Sequence, residues 1–179
     1  MFEVVLGVTG SISAYKAAEL VRLMMKRGWG VSVVMTDAAT KFVTPLTFQT
    51  LSRRQVAIDS FSSLGEWEPN HIALAKRADA LVIAPCTANV LAKLACGIAD
   101  DELSATAIAC RAPLIVAPAM NDAMLEHPAT QANLETLRKR GAVIVSPEVG
   151  ELACGVQGRG RLADLSAIIE AIEGAAPKL

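Results

Sequence analysis

The stretch "PAMNDAM" closes an apolar run, and Asn121 within it carries a side chain able to do chemistry. A carboxamide donates through its NH2 and accepts through its oxygen, so it can read a carboxylate and an amide together. Asn is equally a turn-capping residue, and that reading stands beside the first. His71 follows Asn70, a residue of N-cap type, where a helical pattern "NHIALAKR" begins. A helix N-terminus disfavours an imidazolium, so a neutral ring there could act as a base. A surface histidine in a first turn is the plainer alternative. The third candidate is "LACGVQGRGRL", where Cys154 stands with Arg159 and Arg161 among Gly155, Gly158 and Gly160. A thiol and two guanidinium groups on a glycine-rich stretch describe a flap closing on an anionic substrate, or a mobile surface loop.

Other polar residues gather where apolar runs end. In "GVTGSISAYK", Gly10 permits a tight turn and a close backbone approach, and Ser11 and Ser13 add hydroxyls where a helix presents free N–H groups. That combination suits a phosphate. A Ser-capped helix start without ligand fits the same residues. Neither G-x-G-x-x-G nor G-x-x-x-x-G-K-[ST] is present, so standard dinucleotide and P-loop readings are weak. Thr36 in "MTDAAT" and Thr87 and Asn89 in "APCTANVLAK" mark two further run ends, and Thr36 could equally be an N-cap. None of these three ends carries a cation, which fits phosphate binding through backbone and hydroxyl groups. Asp100 and Asp101 read as helix-capping carboxylates, and His127 as a loop residue without a role.

The elements that must position these residues alternate along the chain. Strand-like runs "FEVVLGV", "GVSVVMT", "DALVIAP", "PLIVAPA" and "AVIVSP" are separated by helical patterns, with a weak further strand near "QVAID". A helical stretch breaks near Pro45, another near Gly97, and a last helix starts at Ala163. Apolar strands each followed by a helix predict an α/β fold: a single doubly wound, Rossmann-like or flavodoxin-like parallel sheet with helices on both faces. In such sheets ligands bind beyond the carboxyl ends of the strands, where the connectivity reverses. That is where the polar run ends fall.

Composition limits the function classes. The 179 residues are 53% hydrophobic, 20% charged and 4% aromatic, which predicts one domain over 1–179 with an aliphatic core. A net charge of −1 favours neither nucleic acid nor an anionic membrane surface. The apolar runs are of strand length, and the N-terminus lacks a secretory pattern, so a cytoplasmic location is expected. The four cysteines form no C-x-x-C pair, so no metal site is expected and free thiols are.

Taken together, the ordered motifs "TGSISAYK", "MTDAATKFVTPLTFQTLS", "HIALAKRAD", "APCTANVLAKLACGIADD", "PAMNDAM" and "ACGVQGRGR" resemble the flavin-dependent cysteine decarboxylases, from about residue 2 to about residue 165. The family signature is Pro-x-Met-Asn-x-x-Met-Trp. Pro118, Met120, Asn121 and Met124 match it, and Leu125 stands in place of the Trp. The resemblance is closest to the members that act on 4′-phosphopantothenoylcysteine in coenzyme A synthesis. It implies FMN held by Gly10, Ser11, Ile12, Thr36, Thr87, Ala88, Asn89, Val90 and Ala119. It makes His71 a base, Asn121 the residue that positions the substrate's carboxylate and amide, and Cys154 a proton donor. Met124 and Ala153 join Asn121 in substrate binding, and the implied assembly is a homotrimer or a multiple of trimers.

The implied chemistry explains these residue types. A cysteine carboxylate cannot leave without an electron sink. Oxidation of CH2–SH to a thioaldehyde places C=S β to the carboxylate, and loss of CO2 then gives an enethiolate. Reprotonation and reduction by the same flavin complete a cycle with no net redox change. Peptidyl-cysteine decarboxylases of lantibiotic synthesis share only the oxidative half and lack the "ACG" cysteine, which is present here. A non-catalytic FMN-binding regulatory subunit would not require His71, Asn121 and Cys154 together. Flavin prenyltransferases share the sheet but not the P-x-M-N segment.

Overall fold

The structure, a computed structural model, describes residues 1–59, 68–151, 155 and 157–175. Four apolar runs become strands β1 (Glu3–Val8), β2 (Gly30–Met35), β3 (Ala80–Cys86) and β4 (Leu114–Pro118). A two-residue β5 (Val143–Ile144) completes a parallel sheet in the order β2-β1-β3-β4-β5. Every residue of β2 and β3 is buried, because helices cover both faces and leave no solvent side for polar alternation. From β1 the chain steps outward to β2, then returns across β1 to place β3 on its other side. The reversal opens a crevice at the carboxyl ends of β1 and β3.

Side chains alternate across β1, so Val4, Leu6 and Val8 enter one core and Val5 the other. The first core is closed by α1 (Ala14–Lys26), α3 (Pro45–Ser52) and α9 (Leu165–Ala175), through Leu20, Met24, Phe48 and Ile168. The second is closed by α4 (Asn70–Arg77), α5 (Ala88–Cys96), α6 (Glu102–Ala109) and α8 (Pro128–Lys139), through Leu74, Leu91, Leu103 and Leu134. Gly7 of β1 allows α6 to sit close: a Cβ there would lie 2.5 Å from Leu103. At the amino edge of the sheet Arg54 holds Glu3 with two hydrogen bonds, of 2.6 and 3.0 Å. Among the described residues no helix is long and apolar enough to cross a membrane.

Several expectations needed correction. The strand near "QVAID" is a single bridge, Ala57 to Val34, beside an arginine drawn away to Glu3. The "AVIVSP" strand contracts to two residues at an edge where only β4 offers a ladder. Asn70 is the first residue of α4, not its cap; Pro69 holds the cap position in extended conformation. His127 does have a role, since its Nδ1 accepts from the N–H of Ala129 at the start of α8. The stretch read as a long loop before the last helix contains an antiparallel hairpin, β6 (Glu148–Glu151) with β7 (Gln157–Arg161). Two short helices, α2 (Asp37–Thr40) and α7 (Asp122–Glu126), complete the described chain.

Candidate active site

The crevice is a cleft of about 620 Å³, walled by the turn after β1, the start of α5 and the segment after β4. That size suits a drug-sized ligand. One buried side chain joins the first two walls. Thr9 donates to the carbonyl of Pro85 at 2.7 Å and accepts from the N–H of Thr87 at 3.0 Å. The third wall is tied in by the Ala119 N–H, which donates to the Cys86 carbonyl at 3.0 Å. Polar Thr9 at the end of an apolar strand was the available signal for this link.

The turn after β1 is shaped for an anion. Gly10 packs against α2 so closely that a Cβ would lie 2.5 Å from that of Ala38. Ser13 occupies the cap position of α1, yet no side chain caps the helix by a hydrogen bond. The N–H groups of Ala14 and Lys16 bond back to the carbonyls of Ser11 and Ser13 at 2.9 and 3.0 Å, so what this turn offers an anion at the cleft is the positive end of the α1 dipole together with Ser11 and Ser13. Cations reach this site: Lys16 from the first turn of α1, where the run ends were read as free of cations, and Arg161 from β7, on the stretch read as a flap or a mobile surface loop. Ile12 and Met124 line the cleft while 56% and 49% exposed, so an apolar ring system laid between them would cover them. A phosphate-ready helix start beside apolar walls fits a flavin mononucleotide.

Asn121 is the turn-capping residue of its plainer reading, and it also lines the cleft. Its Oδ1 accepts from the N–H of Ala123 and caps α7, and its side chain lines the cleft beside Met120. Leu125, where the family has Trp, points away into the second core and is 4% exposed, while Met124 faces the cleft. The hairpin closes this end. Gly160 accepts from the N–H of Met120 at 3.0 Å and has φ +151°, and a Cβ there would strike the Met120 carbonyl at 2.1 Å.

The structure brings Gly10, Ser11, Ile12, Thr87, Ala88, Ala119, Asn121 and Met124 to one cleft. Three further candidates stand back from it. Thr36 accepts from the N–H of Ala39 as the cap of α2, Val90 donates to Thr87 Oγ1, and Asn89 lies on α5 beyond the lining. His71, at the start of α4, is not a lining residue; its Nδ1 faces the buried carboxylate of Glu102 at 3.8 Å. Ala153 and Cys154 lie outside the described residues. Asp101 caps α6 as expected, in a reciprocal box with Ser104, and both Asp100 and Asp101 pair with Lys93 at 2.7 Å. The hydrogen bonds from Lys93 and Ser104 outweigh burial and hold the Asp101 carboxyl below its ordinary range.

A doubly wound sheet with an anion-ready turn and an apolar cleft at its switch point defines a mononucleotide-binding protein of the flavodoxin-like class. The chain belongs to the Flavoprotein family, whose model matches residues 1–176. It is 46% identical over 173 residues to the probable phosphopantothenoylcysteine decarboxylase of Streptococcus mutans, covering 96% of this chain and 97% of that one. It is 45% identical over 170 residues to the coenzyme A biosynthesis bifunctional protein CoaBC of Bacillus subtilis. That match covers 95% of this chain and 42% of its relative, so the chain spans less than half the length of the bifunctional relatives it matches. Among solved structures, the FMN-dependent cysteine decarboxylase SpaF superposes with a TM-score of 0.82 at 34% identity, covering 96% and 97% of the two chains.

Proposed function

We propose that this chain is an FMN-dependent decarboxylase that converts 4′-phosphopantothenoylcysteine to 4′-phosphopantetheine in coenzyme A biosynthesis. The observation that carries the reading is the cleft itself, where Asn121 stands across from an uncapped helix start that suits a phosphate. Gly10, Ser11, Ile12, Thr87, Ala88 and Ala119 would hold the cofactor, the first three at the turn that suits its phosphate. Thr36, Asn89 and Val90 act behind that wall, where Thr36 caps α2 and Val90 bonds Thr87. Bound there, FMN supplies two-electron oxidation and re-reduction of the thiol-bearing carbon.

The chain's own residues do the rest. Asn121 is held by its cap to Ala123, so its amide is presented in one orientation to the substrate's carboxylate. Met124 packs on the substrate beside it, with Ala153 contributing from the segment before the hairpin's second strand. His71 takes the thiol proton, and Cys154 returns a proton to the product carbon. His71 lies outside its own chain's cleft, so we assign it to the cleft of a neighbouring protomer in a homotrimer or a multiple of trimers. Exposed Ile12, Tyr15 and Met124 at the cleft fit cover by cofactor and neighbour. The same reading gives one flavoprotein domain over 1–179 and a cytoplasmic location, in keeping with unpaired Cys86, Cys96 and Cys110.

The test is CO2 release from 4′-phosphopantothenoylcysteine by the FMN-loaded protein and by Asn121→Ala. The wild type should turn over. The variant should keep its flavin spectrum and lose about 100-fold or more in kcat/KM. Equal turnover by the two proteins would remove Asn121, and with it this use of the cleft.

A further inference from the structure

Glu102 is a buried acid whose carboxylate finds no hydrogen-bond partner among the described residues. It opens α6, yet its side chain has no solvent exposure. The ionisable group facing it is Nδ1 of His71, 3.8 Å from Oε2 and likewise buried without a hydrogen bond. Burying a carboxylate is costly unless a donor or cation meets it. An aliphatic residue such as its neighbour Leu103 would have packed here at no such cost.

The placement is fixed by several independent contacts. Asp101 and Ser104 cap the helix reciprocally at 2.8 and 3.1 Å, and Lys93 holds Asp101 at 2.7 Å. Leu103 seats the first turn over Gly7 of β1, where no Cβ would fit. Both α4 and α6 lead back into strands of the parallel sheet, β3 and β4. Their N-termini therefore lie at its carboxyl edge, the side on which ligands bind. The His71 side chain is 27% exposed although Nδ1 is buried, so the part of the ring open to a reactant lies away from Glu102.

We propose that Glu102 is a positioning residue whose carboxylate accepts from the Nδ1–H of His71 and thereby directs the lone pair of Nε2 toward the reactant. A shortening of the 3.8 Å approach by less than about 1 Å makes the hydrogen bond. In the reaction the thiol proton moves to Nε2, the S–H bond breaking as the N–H bond forms. The Glu102 carboxylate facing Nδ1 offsets the N-terminus of α4, which disfavours an imidazolium. The dipole of α6 in turn favours the carboxylate at its own first position. The inference rests on the reading of His71 as the base, but the pairing can be observed without turnover.

The experiment is long-range 1H–15N correlation on the FMN-loaded protein with 15N-labelled histidine. The chain has two histidines, and His127→Asn identifies the His71 signals. At neutral pH the wild type should show a protonated Nδ1 and a bare Nε2. Glu102→Gln, whose amide oxygen still accepts, should keep that pattern. Glu102→Leu should shift the proton to Nε2 and lower kcat by about tenfold to a hundredfold, with KM within about twofold. An Nδ1–H pattern retained in the Leu variant, or absent from the wild type, would overturn the proposal. Glu102→Leu replaces a buried acid by an apolar group of similar size, so the fold should be kept; an intact flavin spectrum checks this. A wild type that shows the Glu102-dependent pattern but no turnover would support the pairing and sink the decarboxylase reading.

Discussion

Thr9→Val tests whether one hydroxyl holds the cleft's two principal walls together. Valine keeps the volume and branching of threonine, so the substitution opens no cavity and the effect comes from two hydrogen bonds. Thr9 is fully buried, and the Pro85 carbonyl that it meets is buried as well. Leaving that acceptor unpaired costs about 1–3 kcal/mol. The Thr87 N–H is only part-buried and can be partly rehydrated, so its loss adds about 1 kcal/mol. The expected destabilisation is therefore about 2–4 kcal/mol, a large share of a typical domain's 5–15 kcal/mol. Urea unfolding of the FMN-free protein measures it, with a lower midpoint and an unchanged slope. Flavin titration should show weaker FMN binding, because the β3 loop loses its tie to the turn after β1. A loss below about 0.5 kcal/mol with unaltered flavin affinity would refute the reasoning.

Gly160→Ala should cost about 1–3 kcal/mol in backbone strain, and more through its clash with the Met120 carbonyl. A raised substrate KM would show that the hairpin had left the Asn121 segment; unaltered stability and KM would contradict its docking. Hydrogen bonds from Arg54 hold the Glu3 carboxyl below its usual range despite burial, so the pair's contribution is present above the unfolded carboxylate pKa of about 4.3 and is lost as pH falls through the depressed folded value. Arg54→Met should flatten that acid loss of stability in thermal scans from pH 7 to about 2, and an unchanged slope would contradict it. Burial pushes the Cys86 thiol up, and burial also raises Cys110, while Cys96 is exposed. A thiol reagent should therefore modify Cys96 in the folded protein and reach Cys86 only on unfolding, as peptide mapping would show.

The parallel sheet was legible because β2 and β3 are wholly buried, and burial on both faces removes polar residues from the sequence itself. The turn after β1 was legible for a similar reason, since Gly10 and two serines break an apolar pattern at a strand end. The β6–β7 hairpin was not: "QGRGR" has neither β-branched residues nor alternation, and it forms a strand by docking Gly160 on Met120. Asn121 was legible as a candidate, whereas Glu102 in "ADDELS" looked like one more acid at a helix start. Its burial depends on α4 packing beside α6, a tertiary fact with no local signature. The separation of His71 from its own cleft is of the same kind, since helix-start chemistry says nothing of which cleft the ring serves.

The most direct test of the central claim is the mass of the product formed from 4′-phosphopantothenoylcysteine by the FMN-loaded protein. The account predicts loss of CO2 alone, with the flavin returned to its oxidised spectrum. Unchanged substrate would contradict the decarboxylase assignment, and loss of CO2 together with two hydrogens would confine the chain to the oxidative half-reaction of the peptidyl-cysteine enzymes.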